Sequence, residues 1–281
     1  MGDLMKFSKI HGLGNDFIVL DETECELFKN DSERTEFTKK YCDRKFGVGA
    51  DGVLFMRKSS NNDFRMQIIN SDGSEAENCV NGLRCVSMQR FLSTKEKEFS
   101  IETLAGAVNS KILNGDEKKV LVELKVLGKQ DFIEKDEIKI DDFQNKFCRI
   151  DMGNPHAVFF IKEKVSDFDL KKVGPKIEFH EKFQPNKTNA EFVNVITDTQ
   201  VNYRVHERGV GETLSCGSGS LAIVVAGVKE GLLKKDEWIK VEQPAGILEI
   251  NYGNSLILRG PAEKIFEGNL NVVWRKRKFG S

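Results

Sequence analysis

Three short patterns recur in the same order, at nearly the same spacing, in the two halves of this 281-residue chain. That duplication constrains its architecture more than any other feature. Gly14-Asn15, with Val19 four residues on, recurs as Gly153-Asn154 with Val158, an offset of 139. Glu75-x-x-x-Cys79-x-Asn81-Gly82 recurs as Glu212-x-x-x-Cys216-x-Ser218-Gly219, an offset of 137. Glu102-x-x-Ala105-Gly106 recurs as Glu242-x-x-Ala245-Gly246, an offset of 140. One short match is commonplace, but three in a constant register imply two domains of like topology. The length agrees, since a domain of about 150 residues fits twice into the chain.

The local signals read alike in both halves. Phe17 to Leu20 and Ala157 to Ile161 are short, apolar and suited to strands, as are Phe99 to Glu102, Val120 to Leu124, Ile247 to Ile250 and Leu256 to Leu258. The longer segments Cys79 to Leu92 and Cys216 to Leu233 read as helices that open at the cysteines, the second closing on the stop signal Lys229-Glu230-Gly231. Leu221 to Val228 is apolar on every side, so this helix is expected inside a sheet rather than on a surface. The fold class is α/β (α+β). The expected division is an N-terminal half of residues 1–127 with the C-terminal tail 268–281, and a C-terminal half of residues 128–267. The charged stretch Gly128 to Lys146, poor in landmarks, marks the boundary.

Composition removes several function classes. The 43 Lys+Arg against 44 Asp+Glu leave a formal charge of −1, so no basic field is present to hold nucleic acid. No apolar run approaches the roughly 18 to 20 residues that span a bilayer, and MGDLMKFSKIHG has no apolar export region, so no membrane partner and a cytoplasmic location are expected. Six cysteines without CxxC spacing argue for free thiols, and no zinc-ligand spacing exists. Gly47-Val48-Gly49-Ala50-Asp51-Gly52 matches GxGxxG, but it follows a helix-like stretch (Thr35 to Phe46) and precedes a strand-like one, the reverse of a dinucleotide fingerprint. The basic run Arg275 to Lys278 reads as a solvated terminus.

The chemistry points to the two repeated cysteines. A single free cysteine is more often a small buried hydrophobe than a catalyst, and Cys25, Cys42, Cys85 and Cys148 keep that reading. Cys79 and Cys216 share one frame at two helix starts, where N–H groups are expected to draw a thiol below its ordinary pKa of about 8.5. A pseudo-twofold would set one thiol on each side of a shared cleft. That arrangement removes a proton from one face of a carbon and delivers one to the other. Spare N–H groups of Val80, Asn81, Gly217 and Ser218 suit a carboxylate. His156, Glu207 and Arg208 are polar groups at strand ends, and the repeat maps Asn70 onto Glu207, placing both in the cleft. A non-catalytic amino-acid binder with an oxidisable Cys79–Cys216 pair, and a thiol-dependent acyl transferase, are the readings from other classes. In the second, the repeated cysteine has no task.

HGLGNDF (His11 to Phe17), NSDGSEAENCVNGLRC (Asn70 to Cys85), GNPH (Gly153 to His156) and ERGVGETLSCGSG (Glu207 to Gly219) closely resemble the diaminopimelate epimerase family, over about Phe7 to Gly268. The resemblance implies two domains, each a β-barrel-like sheet around a central helix, with the C-terminal strand returning to the first. It implies a homodimer and a cofactor-independent, metal-free interconversion of L,L- and meso-diaminopimelate, a small diamino diacid of lysine and peptidoglycan synthesis. By motif, Cys79 and Cys216 would be the acid/base thiols, each taking the proton from one isomer, and His156 and Glu207 would tune them. Asn15, Asn70, Asn154, Asn189, Glu207 and Arg208 would hold substrate, with the N–H groups of Val80, Asn81, Gly217 and Ser218 on its carboxylate. A racemase of another amino acid is the nearest alternative. Two departures stand out. Val80 replaces the family's usual Gly, which raises the question of crowding or of a positive φ, and Gly52 replaces a Gln that holds substrate in some relatives.

Overall fold

The computed structural model describes residues 3–126 and 131–272 and shows one series of elements twice. In the first half it runs β1 (Asp3–Gly12), β2 (Asn15–Glu22), α1 (Asp31–Tyr41), β3 (Gly52–Arg57), β4 (Phe64–Asn70), β5 (Glu75–Ala76), α2 (Val80–Thr94), β6 (Glu98–Thr103), β7 (Gly106–Gly115) and β8 (Lys119–Val126). After β9 (Asp131–Ile140), the same order returns as β10 (Phe143–Asp151), β11 (Pro155–Phe160), α3 (Leu170–Glu178), β12 (Asn189–Thr197), β13 (Gln200–Glu207) and β14 (Gly211–Thr213). It closes with α4 (Gly217–Lys229), β15 (Trp238–Gln243), β16 (Gly246–Tyr252) and β17 (Leu256–Val272).

Pairing repeats with order. β2 runs parallel to β3, with Phe17 opposite Gly52, and β11 runs parallel to β12, with His156 opposite Asn189. β4 pairs parallel with β6, and β13 with β15. The helices between the parallel strands open alike: Asn30 Oδ1 accepts from the Glu33 N–H at 3.0 Å and Asp169 Oδ1 from the Lys172 N–H at 3.2 Å, each satisfying an otherwise unpaired donor. The fold is therefore a mixed α+β architecture in which one continuous sheet packs against α2 in its first half and against α4 in its second. Within α4, Leu221 to Ala226 are each no more than 1% exposed, which answers their lack of a polar face. Residues of α2 and α4 belong to one continuous apolar core.

The two halves interlock through β17. This strand pairs with β16 and with β8, from Leu256 opposite Val126 to Glu263 opposite Lys119, and then with β1, from Glu263 opposite His11 to Val272 opposite Asp3. The segment beyond Pro261 thus continues an unbroken strand into the first half, and Asp3 and Leu4, ahead of Met5, share that ladder. The boundary expected at residues 127–128, the basic run Arg275 to Lys278 and residues 1 and 2 lie outside the described residues.

Gly128 to Lys146 contains β9 and the start of β10. Ile138 and Ile140 are buried while Lys139 is exposed, so a period-two pattern lies beneath the charges. One reading, the extent of the first-half flanking helix, needs correction. This helix occupies Asp31 to Tyr41 rather than Thr35 to Phe46, because the chain folds back there, with the Val48 and Gly49 N–H groups donating to the Tyr41 carbonyl. The last helix stops at Lys229, where the Lys229-Glu230-Gly231 stop signal places its end. Gly231 takes a left-handed φ of +70°, and Leu233 returns to cover the bare Cα of Gly227.

Candidate active site

Cys79 and Cys216 are the N-caps of α2 and α4. Both have extended backbones, and their sulfurs accept the N–H of Gly82 at 3.3 Å and of Gly219 at 3.4 Å. Sulfur fills the place that a Ser or Asp oxygen commonly takes. The two helix starts touch each other. A Cβ on Gly217 would lie 2.7 Å from Val80 Cβ, and Asn81 Nδ2 donates to the Ser215 carbonyl at 3.3 Å. Val80 is the first residue of α2 and has no positive φ, so the replacement of Gly brings no backbone strain. Its branched side chain fills the gap beside Gly217.

Around this junction the repeat becomes reciprocal. The turns at Gly14 (φ +82°) and Gly153 (φ +88°) each require a left-handed glycine, and each is met by the other half's repeated alanine: Gly14 by Ala245 and Gly153 by Ala105, both at 3.8 Å from a built Cβ. Asn15 follows the first turn. Its Oδ1 accepts from Asn81 Nδ2 at 3.2 Å and lies 3.8 Å from Cys79 Sγ. Asn154 follows the second turn. Its Nδ2 reaches Ser218 Oγ at 3.5 Å, and Ser218 Oγ lies 3.6 Å from Cys216 Sγ.

His156 is fully buried between Glu191 Oε1, 2.6 Å from Nδ1, and Asn154 Oδ1, 3.1 Å from Nε2. Glu207 ends β13, takes the Thr213 hydroxyl and acts electrostatically on both thiols. Burial pushes its own carboxyl up, and hydrogen bonds from Thr213 and Cys216 oppose the rise. Asn189 bridges the Pro155 carbonyl at 3.1 Å and the Arg208 N–H at 2.8 Å, while the Arg208 side chain is exposed and donates to the Asn186 carbonyl. Asn70 stands where the repeat places it, at the end of β4. Its side chain donates to Ser74 Oγ at 3.1 Å rather than to any member of the thiol cluster. At Gly52 a Cβ would fall 2.7 Å from the Ile69 carbonyl, so the neighbouring backbone occupies the space a side chain would need.

The thiols do not behave as their helix positions alone imply. Burial pushes Cys79 up to about 11; the Gly82 N–H opposes the rise and the Glu207 carboxylate adds to it. Burial likewise raises Cys216 well above the ordinary range, reinforced by Glu207 and Glu191. A few helix-start N–H groups do not replace the lost water when carboxylates stand alongside. Both thiols are therefore protonated at neutral pH, and whichever one ionises becomes a strong base.

Several contributors lie outside the repeated motifs. Asp51 Oδ2 accepts from Asn15 Nδ2 at 2.7 Å, and Asp51 and Asp16 share Arg44, which fastens the asparagine beside Cys79. The Tyr203 hydroxyl lies 2.8 Å from the Cys216 carbonyl and 2.7 Å from Gln243 Oε1, its one proton serving either acceptor, and Gln243 Oε1 also accepts the Cys216 N–H at 3.2 Å. Glu191 is 0% exposed in the apolar run Ala190 to Val193. A charge inside such a run is the sequence signal that marks it.

The family model for diaminopimelate epimerase matches residues 7–127 and 148–265. The chain belongs to the diaminopimelate epimerase family. It is 42% identical over 276 residues to the diaminopimelate epimerase of Carboxydothermus hydrogenoformans, covering 94% of this chain and 98% of that one. To the enzyme of that name from Methanococcus maripaludis strain C5 it is 40% identical over 285 residues, covering 95% and 100%. Among solved structures, a hydroxyproline epimerase from Agrobacterium vitis superposes with a TM-score of 0.73 at 14% identity, covering 96% and 93%. A PhzF-family phenazine biosynthesis protein from Bacillus anthracis gives 0.69, also at 14%, covering 96% and 100%. The fold of this family member is thus shared with amino-acid epimerases and PhzF proteins.

Proposed function

We propose that this chain interconverts L,L- and meso-diaminopimelate by two-base proton transfer. Cys79 takes the α-proton from the L,L isomer while Cys216 supplies one to the opposite face, and the roles exchange for the meso isomer. The observation that carries this reading is the pair of pseudo-equivalent thiol caps joined through Val80 and Gly217. A resting site with both thiols neutral is one deprotonation away from the required state of one thiolate and one thiol. The α-ammonium of the incoming amino acid favours that ionisation.

In this reading the N–H groups of Val80, Asn81, Gly217 and Ser218 hold the reacting carboxylate, whose negative charge suits two helix starts at once. Asn15 and Asn154 steady the two sides. Glu207 meets a substrate ammonium and Arg208, with Asn70 and Asn189, the distal carboxylate. His156 and Glu207 poise the thiols. The reaction needs no pyridoxal, because the carbanion is met by fixed N–H dipoles in a dry site. We further propose a cytoplasmic homodimer serving lysine and peptidoglycan precursor synthesis, with an N-terminal half of residues 1–127 completed by 268–281. No helix among the described residues is long and apolar enough to cross a membrane.

The test is incubation of the reduced protein with L,L-diaminopimelate and chiral chromatography of the product. Appearance of the meso isomer supports the assignment. Turnover of a different L-amino acid, with diaminopimelate inert, replaces it with a racemase of that substrate.

A further inference from the structure

The duplication permits a comparison of what stands behind each thiol. A Cβ built on Gly82 would meet a Leu54 methyl at 3.0 Å and Cys79 Sγ at 3.5 Å. A Cβ built on Gly219, the equivalent residue, would meet Glu191 Oε1 at 2.8 Å and Cys216 Sγ at 3.2 Å. Strand register agrees, since Val19 opposes Leu54 in the first half and Val158 opposes Glu191 in the second. Two residues earlier on β2 and β11, Phe17 stands where the other half has His156. Leu54 and Glu191 thus hold equivalent places beside the two thiol-bearing helix starts, and Phe17 and His156 hold equivalent places on the strands that pair with theirs.

The first half shows that hydrocarbon fills this place in the fold. Glu191 is 0% exposed, makes a single side-chain hydrogen bond, to His156, and its Oε2 has no hydrogen-bond partner among the described residues. A buried carboxylate with one oxygen unsatisfied is a poor substitute for leucine on stability grounds. Its presence beside the sulfur is then explained by what it does to its neighbours.

We propose that Glu191 is a positioning residue that fixes the His156 ring against Asn154 and holds a carboxylate beside Cys216, making the two thiols chemically unequal. The inference rests on the proposed epimerase reading for its link to turnover, but not for its effect on the thiols. Asn154 contacts both His156 and Ser218, so a ring fixed by Glu191 fixes the substrate side of α4 as well.

The experiment compares wild type with Glu191→Gln, Glu191→Asp and the double variant His156→Phe/Glu191→Leu, which copies the first half's Phe17 and Leu54 and so avoids a stranded histidine. Two quantities are read: kcat for diaminopimelate, and the separate rates at which iodoacetamide alkylates Cys79 and Cys216, resolved by peptide mapping at fixed pH. Removing the carboxylate lowers kcat at least about tenfold in Glu191→Gln and in the double variant, with partial recovery in Glu191→Asp. Alkylation of Cys216 speeds up by at least about threefold while Cys79 stays unchanged, because loss of a neighbouring negative charge favours only the adjacent thiolate. A kcat within about threefold of wild type in both charge-removing variants, a less than about 0.7 kcal/mol effect, overturns the proposal. So does an equal shift at both thiols, which would report a loosened fold. Should wild type leave diaminopimelate untouched, the epimerase reading fails alone, and the alkylation ratio still decides the role of Glu191.

Discussion

The side chain of Val80 rests on the bare Cα of Gly217, so close that a Cβ there would fall 2.7 Å from Val80 Cβ and 2.9 Å from its Cγ1. This contact joins the two helix starts that carry the thiols, and it couples two residues that the duplication leaves unlike.

Gly217→Ala is predicted to overpack the junction, destabilising the protein by about 1–3 kcal/mol and lowering turnover by displacing α4. Val80→Gly in the same chain removes both Cβ and Cγ1 and recovers a large part of both losses. A double-mutant cycle by denaturant unfolding checks this, and additive losses would show that the two side chains do not meet.

Cys216→Ser is predicted to keep its fold and lose at least about 10³-fold in rate. Serine is a better helix cap than cysteine and accepts the same Gly219 N–H, but its hydroxyl ionises far too reluctantly to act as the base. Cys79→Ser behaves alike. Circular dichroism melts set beside chiral turnover assays separate the two effects.

The raised thiols set a pH dependence. With Cys79 at about 11 and Cys216 raised well above its ordinary range, the reactive one-thiolate form is scarce at neutrality, so kcat/KM is predicted to climb about tenfold per pH unit from about 7 to 9. The sign for stability is opposite. A thiol raised from 9.0 to about 11 binds its proton more tightly when folded, so its contribution is complete below about pH 9 and is lost as the pH rises through about 11. A pH profile of initial rates and of melting temperature tests both.

Acid stability rests in part on Asp16. Burial pushes this carboxyl up, but hydrogen bonds from Arg44 and Lys9 and their charges hold it at about 2, against an ordinary 3.8. A lowered carboxyl contributes stability above about pH 4 that disappears as the pH falls through about 2, worth about 2 kcal/mol. Asp16→Asn is predicted to destabilise by about 2–4 kcal/mol at pH 7, because Lys9 is 4% exposed and loses its carboxylate. Urea unfolding from pH 7 to 2 measures it.

Much of this site is legible in the chain before it folds. The repeat locates the halves, puts both cysteines at helix starts and aligns Asn70 with Glu207, since identical local frames fold alike. It does not show that Asn70 turns to Ser74 while Glu207 turns to the thiols, because those choices depend on the loops that follow. The thiol pKa values were the clearest departure: helix-start N–H groups are local, whereas the desolvation that outweighs them comes from two halves closing on each other. β9 was hidden because its charges face solvent and only Ile138 and Ile140 keep the alternation. Glu191 was within reach, since the offset of 137 that pairs Asn70 with Glu207 also pairs Leu54 with Glu191.

The central claim is that two different thiols serve the two faces of the α-carbon. It is tested most directly by running L,L-diaminopimelate in deuterated water and stopping within the first few per cent of conversion. Two bases predict a meso product that carries α-deuterium while the remaining L,L substrate stays unlabelled, because the base that takes the proton is not the acid that returns one. Deuterium appearing equally in both isomers from the outset would contradict it and place a single exchanging base at the site.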